Sequence, residues 1–278
     1  MPKTGTSTAS NGDLTGSNTS VKTHKIRADA LLLNLGLAGS RSEAKALLMA
    51  GKVRLGTEVI DKAGRLLPSD APLSVIQPPR FVSRGGEKLE GFLTTHDIAV
   101  SGMRALDIGA STGGFTDCLI QRGATHVTCV DVGRNQLHPK IQARSEVTSL
   151  EGINARNLDG SQLPYQEYPI IVIDVSFISL KRILLPAWNV LSSRGHLIAL
   201  VKPQFEAEKS LMDKCRGVIR EPEVSLSIAS AIRDFACSEL PGATLIGFSP
   251  SVIQGGDGNQ EYLMGLTKQD CICSTSVP

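Results

Sequence analysis

Aromatic side chains are scarce: seven Phe, three Tyr and one Trp make up 4% of a 278-residue chain. That is too few rings for a single-stranded nucleic-acid platform built on stacked bases. Long apolar runs are missing as well. Ile170 to Ile173 and Leu197 to Val201 are typical of the longest, far short of the ~20 residues that cross a bilayer, so no membrane insertion is expected. Cysteine is sparse, and the six (118, 129, 215, 237, 271, 273) read as reduced thiols. Cys271-x-Cys273 lacks a partner pair at zinc-ligand spacing, so no metal is expected. The first twenty residues hold fourteen Ser, Thr, Gly or Asn, with no apolar core and no arginine. Neither a secretory signal nor a transit peptide has that composition. Residues 1–24 are expected to be a disordered tail on a cytoplasmic protein.

What is present is an ordinary globular balance, 41% hydrophobic and 20% charged, with length for about two domains. A net charge of +2 hides an asymmetry. Val21 to Arg80 carries ten Lys/Arg against five Asp/Glu, whereas Phe81 to Pro278 carries eighteen against twenty-one. A basic front half implies an anionic partner for it. Arg27 to Leu37 and Ser40 to Ala50 show helical patterning, with Ala28/Leu31 and Leu32/Leu35 three apart. Ser40-x-x-Glu43 predicts a capping box, and Gly51 a left-handed helix end. Lys52 to Val59 reads as strand, Gly-Thr turn, strand. This unit, residues 25–79, closes at Pro78-Pro79. Arg41 and Lys45 lie one helical turn apart, with Lys52 and Arg54 just beyond. By charge alone, a solvated helix face accounts for them.

From Met103 the pattern alternates. Apolar strands are predicted at Arg104 to Ile108, His126 to Val132, Ile170 to Val175, His196 to Val201, Ala243 to Phe248 and Glu261 to Thr267, with helices between several of them. That order predicts an α/β fold over residues 80–268, a mostly parallel sheet covered on both faces, with 269–278 as a C-terminal tail. Ligands of such sheets bind at the carboxyl ends of the strands.

The first strand runs into Asp107-Ile-Gly-Ala-Ser-Thr-Gly-Gly114. The Gly-x-x-x-Gly-Gly spacing is not that of dinucleotide sites, and there is no P-loop lysine. Gly109, Gly113 and Gly114 permit close approach of a ligand, and Ser111 and Thr112 supply hydroxyls. Asp131 ends the second strand 22 residues after Gly109, near the offset at which a carboxylate meets a ribose diol. A tight turn needing glycine for geometry is the bland alternative. Strand, glycine turn, helix, strand and acid together favour an adenosine ligand without a pyrophosphate, and S-adenosylmethionine suits that. Asp107 is then a loop anchor or a contact to the cofactor amine.

Four charged residues fall where such a site would be. Lys88 follows Ser83-Arg-Gly-Gly-Glu87, Asp174 and Lys202 each end an apolar strand, and Glu261 opens the last one. Either Asp174 or Lys202 alone would read as a solvated strand terminus. Opposite charges on neighbouring strands beside a cofactor turn point to catalysis.

The segments Arg27-Ala-Asp-Ala30, Ser40-Arg-Ser-Glu-Ala-Lys45, Gly51-Lys-Val53, Val82-Ser-Arg-Gly-Gly-Glu-Lys-Leu89, Asp107 to Asp117, Val130-Asp-Val-Gly133, Asn154-Ala-Arg156, Asp174 to Leu180, Val201-Lys-Pro-Gln-Phe-Glu206 and Gly258-Asn-Gln-Glu261 resemble, in order, those of the TlyA family, also labelled hemolysin A. The resemblance implies an S4-type RNA-binding domain of small α+β type, fused to a Rossmann-like, S-adenosylmethionine-dependent FtsJ-like methyltransferase. It implies 2′-O-methylation of ribosomal RNA, on cytidine, with rRNA or assembled subunits as partner. It places a Lys–Asp–Lys–Glu tetrad on Lys88, Asp174, Lys202 and Glu261, and makes Arg27, Arg41, Lys45, Lys52 and Arg54 candidates for RNA phosphates. The chain departs from the family pattern at Arg134-Asn135, at Gln142 to Val147, after Glu206 and at Arg220-Glu221-Pro222. Two other function classes compete: an RNA-binding assembly factor with an inactive methyltransferase fold, which the intact turn and tetrad oppose, and a membrane-active protein, which the short apolar runs oppose. No motif encodes the oligomeric state.

Overall fold

The computed structural model describes residues 24–77 and 79–270. The expected N-terminal tail, apart from His24, and the Cys271/Cys273 pair lie outside them. The chain divides into two compact units, Met1–Pro78 and Pro79–Pro278.

The first unit runs β1 (Lys25–Arg27), α1 (Ala28–Asn34), α2 (Arg41–Met49), β2 (Val53–Leu55), β3 (Glu58–Ile60), β4 (Leu66–Pro68) and β5 (Leu73–Val75). β1 pairs with β4, and β3-β2-β5 form a three-stranded sheet. The small core is aliphatic: Leu31, Leu32, Leu48, Val53 and Ile60 are fully buried. α1 stops three residues before the leucine pattern does. Gly36 turns left-handed at φ +68°, and the Gly36 and Leu37 N–H groups donate back to the Leu33 and Leu32 carbonyls. Leu37 thus packs on the core from beyond the helix. The capping box is half formed. Ser40 Oγ accepts from the Glu43 N–H at 3.1 Å, but the Glu43 carboxylate takes the N–H of Gly39, one residue before the cap, at 2.8 Å. A Cβ on Gly39 would stand 3.3 Å from that carboxylate, so the missing side chain admits it.

The second unit contains α3 (Gly85–Thr95), β6 (Arg104–Ile108), α4 (Gly114–Gln121), β7 (His126–Asp131), α5 (Pro139–Gln142), β8 (Val147–Glu151), β9 (Tyr168–Ile173), α6 (Leu184–Asn189), β10 (Leu191–Val201), α7 (Pro203–Glu206), α8 (Lys209–Cys215), α9 (Pro222–Glu239), β11 (Ala243–Pro250) and β12 (Tyr262–Lys268). Seven strands form one sheet in the order β11-β12-β10-β9-β6-β7-β8. β6 to β10 are parallel, and β12 and β11 close the edge antiparallel. β9 shows why these strands read as unbroken apolar runs. Ile171 and Ile173 face a core with Trp188 and Ile232, whereas Ile170 and Val172 face another with Leu89 and Leu119. Side-chain alternation places each face against a helical layer. The chain starts at the central β6, winds out through β7 and β8, and returns to β9 on the other side. The crevice between the β6 and β9 carboxyl ends is therefore the topological switch point, where such sheets bind ligands.

Candidate active site

The loops leaving β6, β7, β8 and β9 share one edge of the sheet and enclose a cavity of about 420 Å³. Gly109, Asp131, Asn154 and Asp174 line it with an apolar wall that includes Val132 and Ile178. Asp131 is held by its own loops: Oδ2 accepts the Ser111 N–H at 2.8 Å and Oδ1 the Gly133 N–H at 2.7 Å. Each oxygen keeps a lone pair for a donor in the cavity. Ser111 occupies a left-handed conformation, φ +46°, in the turn between β6 and α4. Gly113 and Gly114 start α4, and Leu137 and Ser83 fill the space their side chains would take.

Gly109 lies at the switch point itself, at φ +82°, and a Cβ there would stand 2.3 Å from the Asp174 carbonyl oxygen. Its N–H donates to Val130 O while the Asp174 N–H donates to Ile108 O, which extends the ladder past both strand ends. Gly109→Ala should cost about 2–4 kcal/mol, from the left-handed backbone plus the clash with a fixed carbonyl. A thermal melt with an unchanged midpoint would contradict this packing.

Asp107 is fully buried in β6. Its Oδ2 accepts the Thr116 hydroxyl at 2.6 Å and its Oδ1 has no partner among the described residues. Burial pushes this carboxyl up to about 7. The folded state then holds the proton more tightly than the unfolded chain, whose value lies near 4. Its contribution to stability is complete below about pH 4 and is lost as pH rises through 7. Asp107→Asn should remove that slope. Melts of both proteins between pH 5 and 8 check it: a constant difference in midpoint would contradict the buried proton.

The four charged residues come together as two ion pairs. Lys202, at the end of β10, puts Nζ 2.5 Å from Asp174 Oδ1 at the end of β9, and donates to Ser176 Oγ at 3.0 Å. Lys88, in the first turn of α3, pairs with Glu261 in a buried contact. The antiparallel register of β12 sets Tyr262 opposite Val201, which brings Glu261 beside Lys202. Lys88 and Asp174 also line one second cavity of about 210 Å³ with Ser83, Arg84, Thr112 and Gly114. Asp174 lines both cavities. The parallel strands supply two members, the start of the antiparallel β12 the third and α3 the fourth.

Two features of this edge escape sequence reasoning. Phe177 is 89% exposed and left-handed, φ +63°, and its ring lies 5.0 Å from that of Phe205. An exposed phenylalanine in a strained backbone beside a cavity suits contact with a flat ligand. Glu206 is the other: its carboxylate accepts the Ser179 hydroxyl at 2.5 Å and the Leu180 N–H at 2.7 Å. It ties the segment after β10 to the segment after β9, and burial pushes it above the ordinary carboxylate range.

In the first unit Arg41 and Lys45 are exposed on α2. Arg27 is exposed too and makes two hydrogen bonds with Asp29, and Arg54 donates to the Gly51 carbonyl at 2.6 Å. Lys52 is half-buried. Among the described residues, no His/Cys/Asp/Glu group could hold a metal ion, and no helix is long and apolar enough to cross a membrane.

Residues 81–268 match the FtsJ-like methyltransferase family and residues 26–71 the S4 domain. The chain belongs to the TlyA family of FtsJ-like methyltransferases. The 16S/23S rRNA (cytidine-2′-O)-methyltransferase TlyA of Mycobacterium tuberculosis is 39% identical over 88% of this chain and 91% of its own. Hemolysin A of Brachyspira hyodysenteriae is 37% identical over 86% of this chain and 98% of its own. A solved structure of a hemolysin-like protein from Streptococcus thermophilus superposes with a TM-score of 0.66 at 39% identity, covering 89% of this chain and 90% of that one.

Proposed function

We propose that the chain methylates a ribose 2′-hydroxyl of ribosomal RNA, on cytidine, using S-adenosylmethionine, with the S4 unit gripping the RNA backbone. The single observation that carries this reading is Asp174, which lines the large cavity and at the same time aims Lys202. The residues fit the cofactor. Asp131 offers acceptors to a ribose diol, and Val132 and Ile178 offer an apolar slot for a purine. When bound, the cofactor supplies an electrophilic methyl group on a sulfonium.

The chain's own task is to present a weak nucleophile in line and remove its proton. Lys202 is the proposed base, as a free amine at the moment of attack. Asp174 fixes its direction and stabilises the ammonium formed as it takes the hydroxyl proton. Glu261 holds Lys88 beside them, so each cation of the tetrad keeps its own counterion. The exposed Phe177 ring offers a stacking surface to the base of the target nucleotide. Positioning alone can lower a barrier by ~7–11 kcal/mol in favourable cases, so a modest base suffices.

Labelled methyl transfer from the cofactor to isolated ribosomal subunits tests the reading. Label should appear in alkali-resistant dinucleotides, the mark of 2′-O-methylation. Label on bases, or none, would overturn it. For the S4 unit, Arg41→Gln with Lys45→Gln should weaken subunit binding and reduce the slope of log K against log salt by about 1.5, because each phosphate contact releases condensed counterions. Cofactor affinity should not change. Unaltered RNA affinity at low salt would show α2 to be a solvated face.

A further inference from the structure

The stretch from Lys209 to Arg220 sits oddly in the methyltransferase unit. α8 (Lys209–Cys215) buries no residue, so the core does not explain it. Its Lys209 and Lys214, and Arg216 and Arg220 after it, are all exposed. None has an acidic partner among the ion pairs of the described residues. Asp213 is the one acid inside the stretch, with Glu208 and Glu221 at its borders.

Both ends of this strap are nevertheless tied to the tetrad's own segments. It leaves Lys202 through α7 (Pro203–Glu206). It is then fastened by Asn259, two residues before Glu261. Asn259 is 1% exposed: Oδ1 accepts the Ile219 N–H at 2.9 Å and Nδ2 donates to the Gly217 carbonyl at 2.9 Å. A buried amide that spends both functions on the backbone of a polar loop fixes where that loop lies. Arg216 also ends α8 in a left-handed conformation, φ +52°. Glycine or asparagine is preferred there, so an arginine is kept against its backbone preference. Charge without partners, a pinned position beside Glu261 and a tolerated strain share one explanation.

We infer that the strap 209–220 is an RNA-backbone clamp of the methyltransferase unit, seating phosphates that flank the target ribose. Lys209 and Lys214 act as point charges, and Arg216 and Arg220 offer planar forks that suit phosphate oxygens. The inference rests on the proposed RNA substrate and adds a second contact besides the S4 unit.

The test uses full-length protein, isolated ribosomal subunits and a salt series. In a variant with Lys209→Gln, Lys214→Gln, Arg216→Gln and Arg220→Gln, the slope of log K against log salt should fall by about two to three, and affinity by roughly tenfold or more. Its affinity for S-adenosylhomocysteine and its melting midpoint should match wild type. A charge-preserving variant, Arg216→Lys with Arg220→Lys, should keep the slope. An unchanged slope in the first variant would overturn the clamp, as would equal loss of affinity in both variants, which marks a packing role. Methyl transfer by wild type separates this from the parent reading: if wild type methylates rRNA and the slope is unmoved, only the clamp fails.

Discussion

Lys202→Ala should abolish methyl transfer while leaving the fold, cofactor affinity and RNA affinity close to wild type. The amine sits at the carboxyl end of a buried strand, with Asp174 and Ser176 as its polar neighbours. Its removal leaves Asp174 at the rim of two cavities, where water can reach it. General bases contribute typically ~10²–10⁴-fold, and lost positioning adds to that. Lys202→Arg is the sharper variant. A guanidinium keeps the charge and nearly the reach but does not deprotonate. If Lys202 takes the proton, arginine should be nearly as inactive as alanine. If the residue only steadies charge, arginine should retain much of the rate. Single-turnover methylation at saturating cofactor separates the two, and a largely active arginine enzyme would remove the base role.

The second large effect concerns cofactor affinity. Asp131→Ala should weaken S-adenosylmethionine binding by about 1.5–3 kcal/mol, the cost of a charge-assisted hydrogen bond. That is roughly 10- to 150-fold in Kd. Part of the loss comes through the loops, since Asp131 also accepts the Ser111 and Gly133 N–H groups. Asp131→Asn keeps one acceptor oxygen and should lose less. Calorimetry showing equal affinity in wild type and the alanine variant would sink the ribose assignment. RNA affinity should stay the same throughout.

The parallel core of the sheet was readable because its signals are local. Buried parallel strands are apolar without alternation, and β6 and β9 carry such runs up to Gly109 and Asp174. The edge needed more. β8 is only partly buried along its length, so nothing in Val147–Glu151 stands out as a strand. Lys88 belongs to α3, which starts at a double glycine and has no side-chain cap to announce it. The first unit's β4 and β5 are three residues each, too short for a periodic signal. In the site, the charges were visible as strand termini, but their pairing was not. Which lysine meets which acid depends on the register of the antiparallel β12, at whose start Glu261 lies 173 residues from Lys88. Glu206 and Asn259 were silent for the same reason, since each acts on backbone groups brought near by the fold. The front-half charge had the opposite fate. Its basic residues stand out in a count, but their partners do not: Arg27 meets Asp29 and Arg54 the Gly51 carbonyl through part of their donors.

Mapping 2′-O-methyl groups on rRNA from cells with and without this gene tests the central claim most directly. At least one cytidine should lose its 2′-O-methyl group in the deletion strain. The wild-type gene should restore it, and the Lys202→Ala gene should not. Identical maps in both strains, or restoration by the alanine variant, would contradict the account.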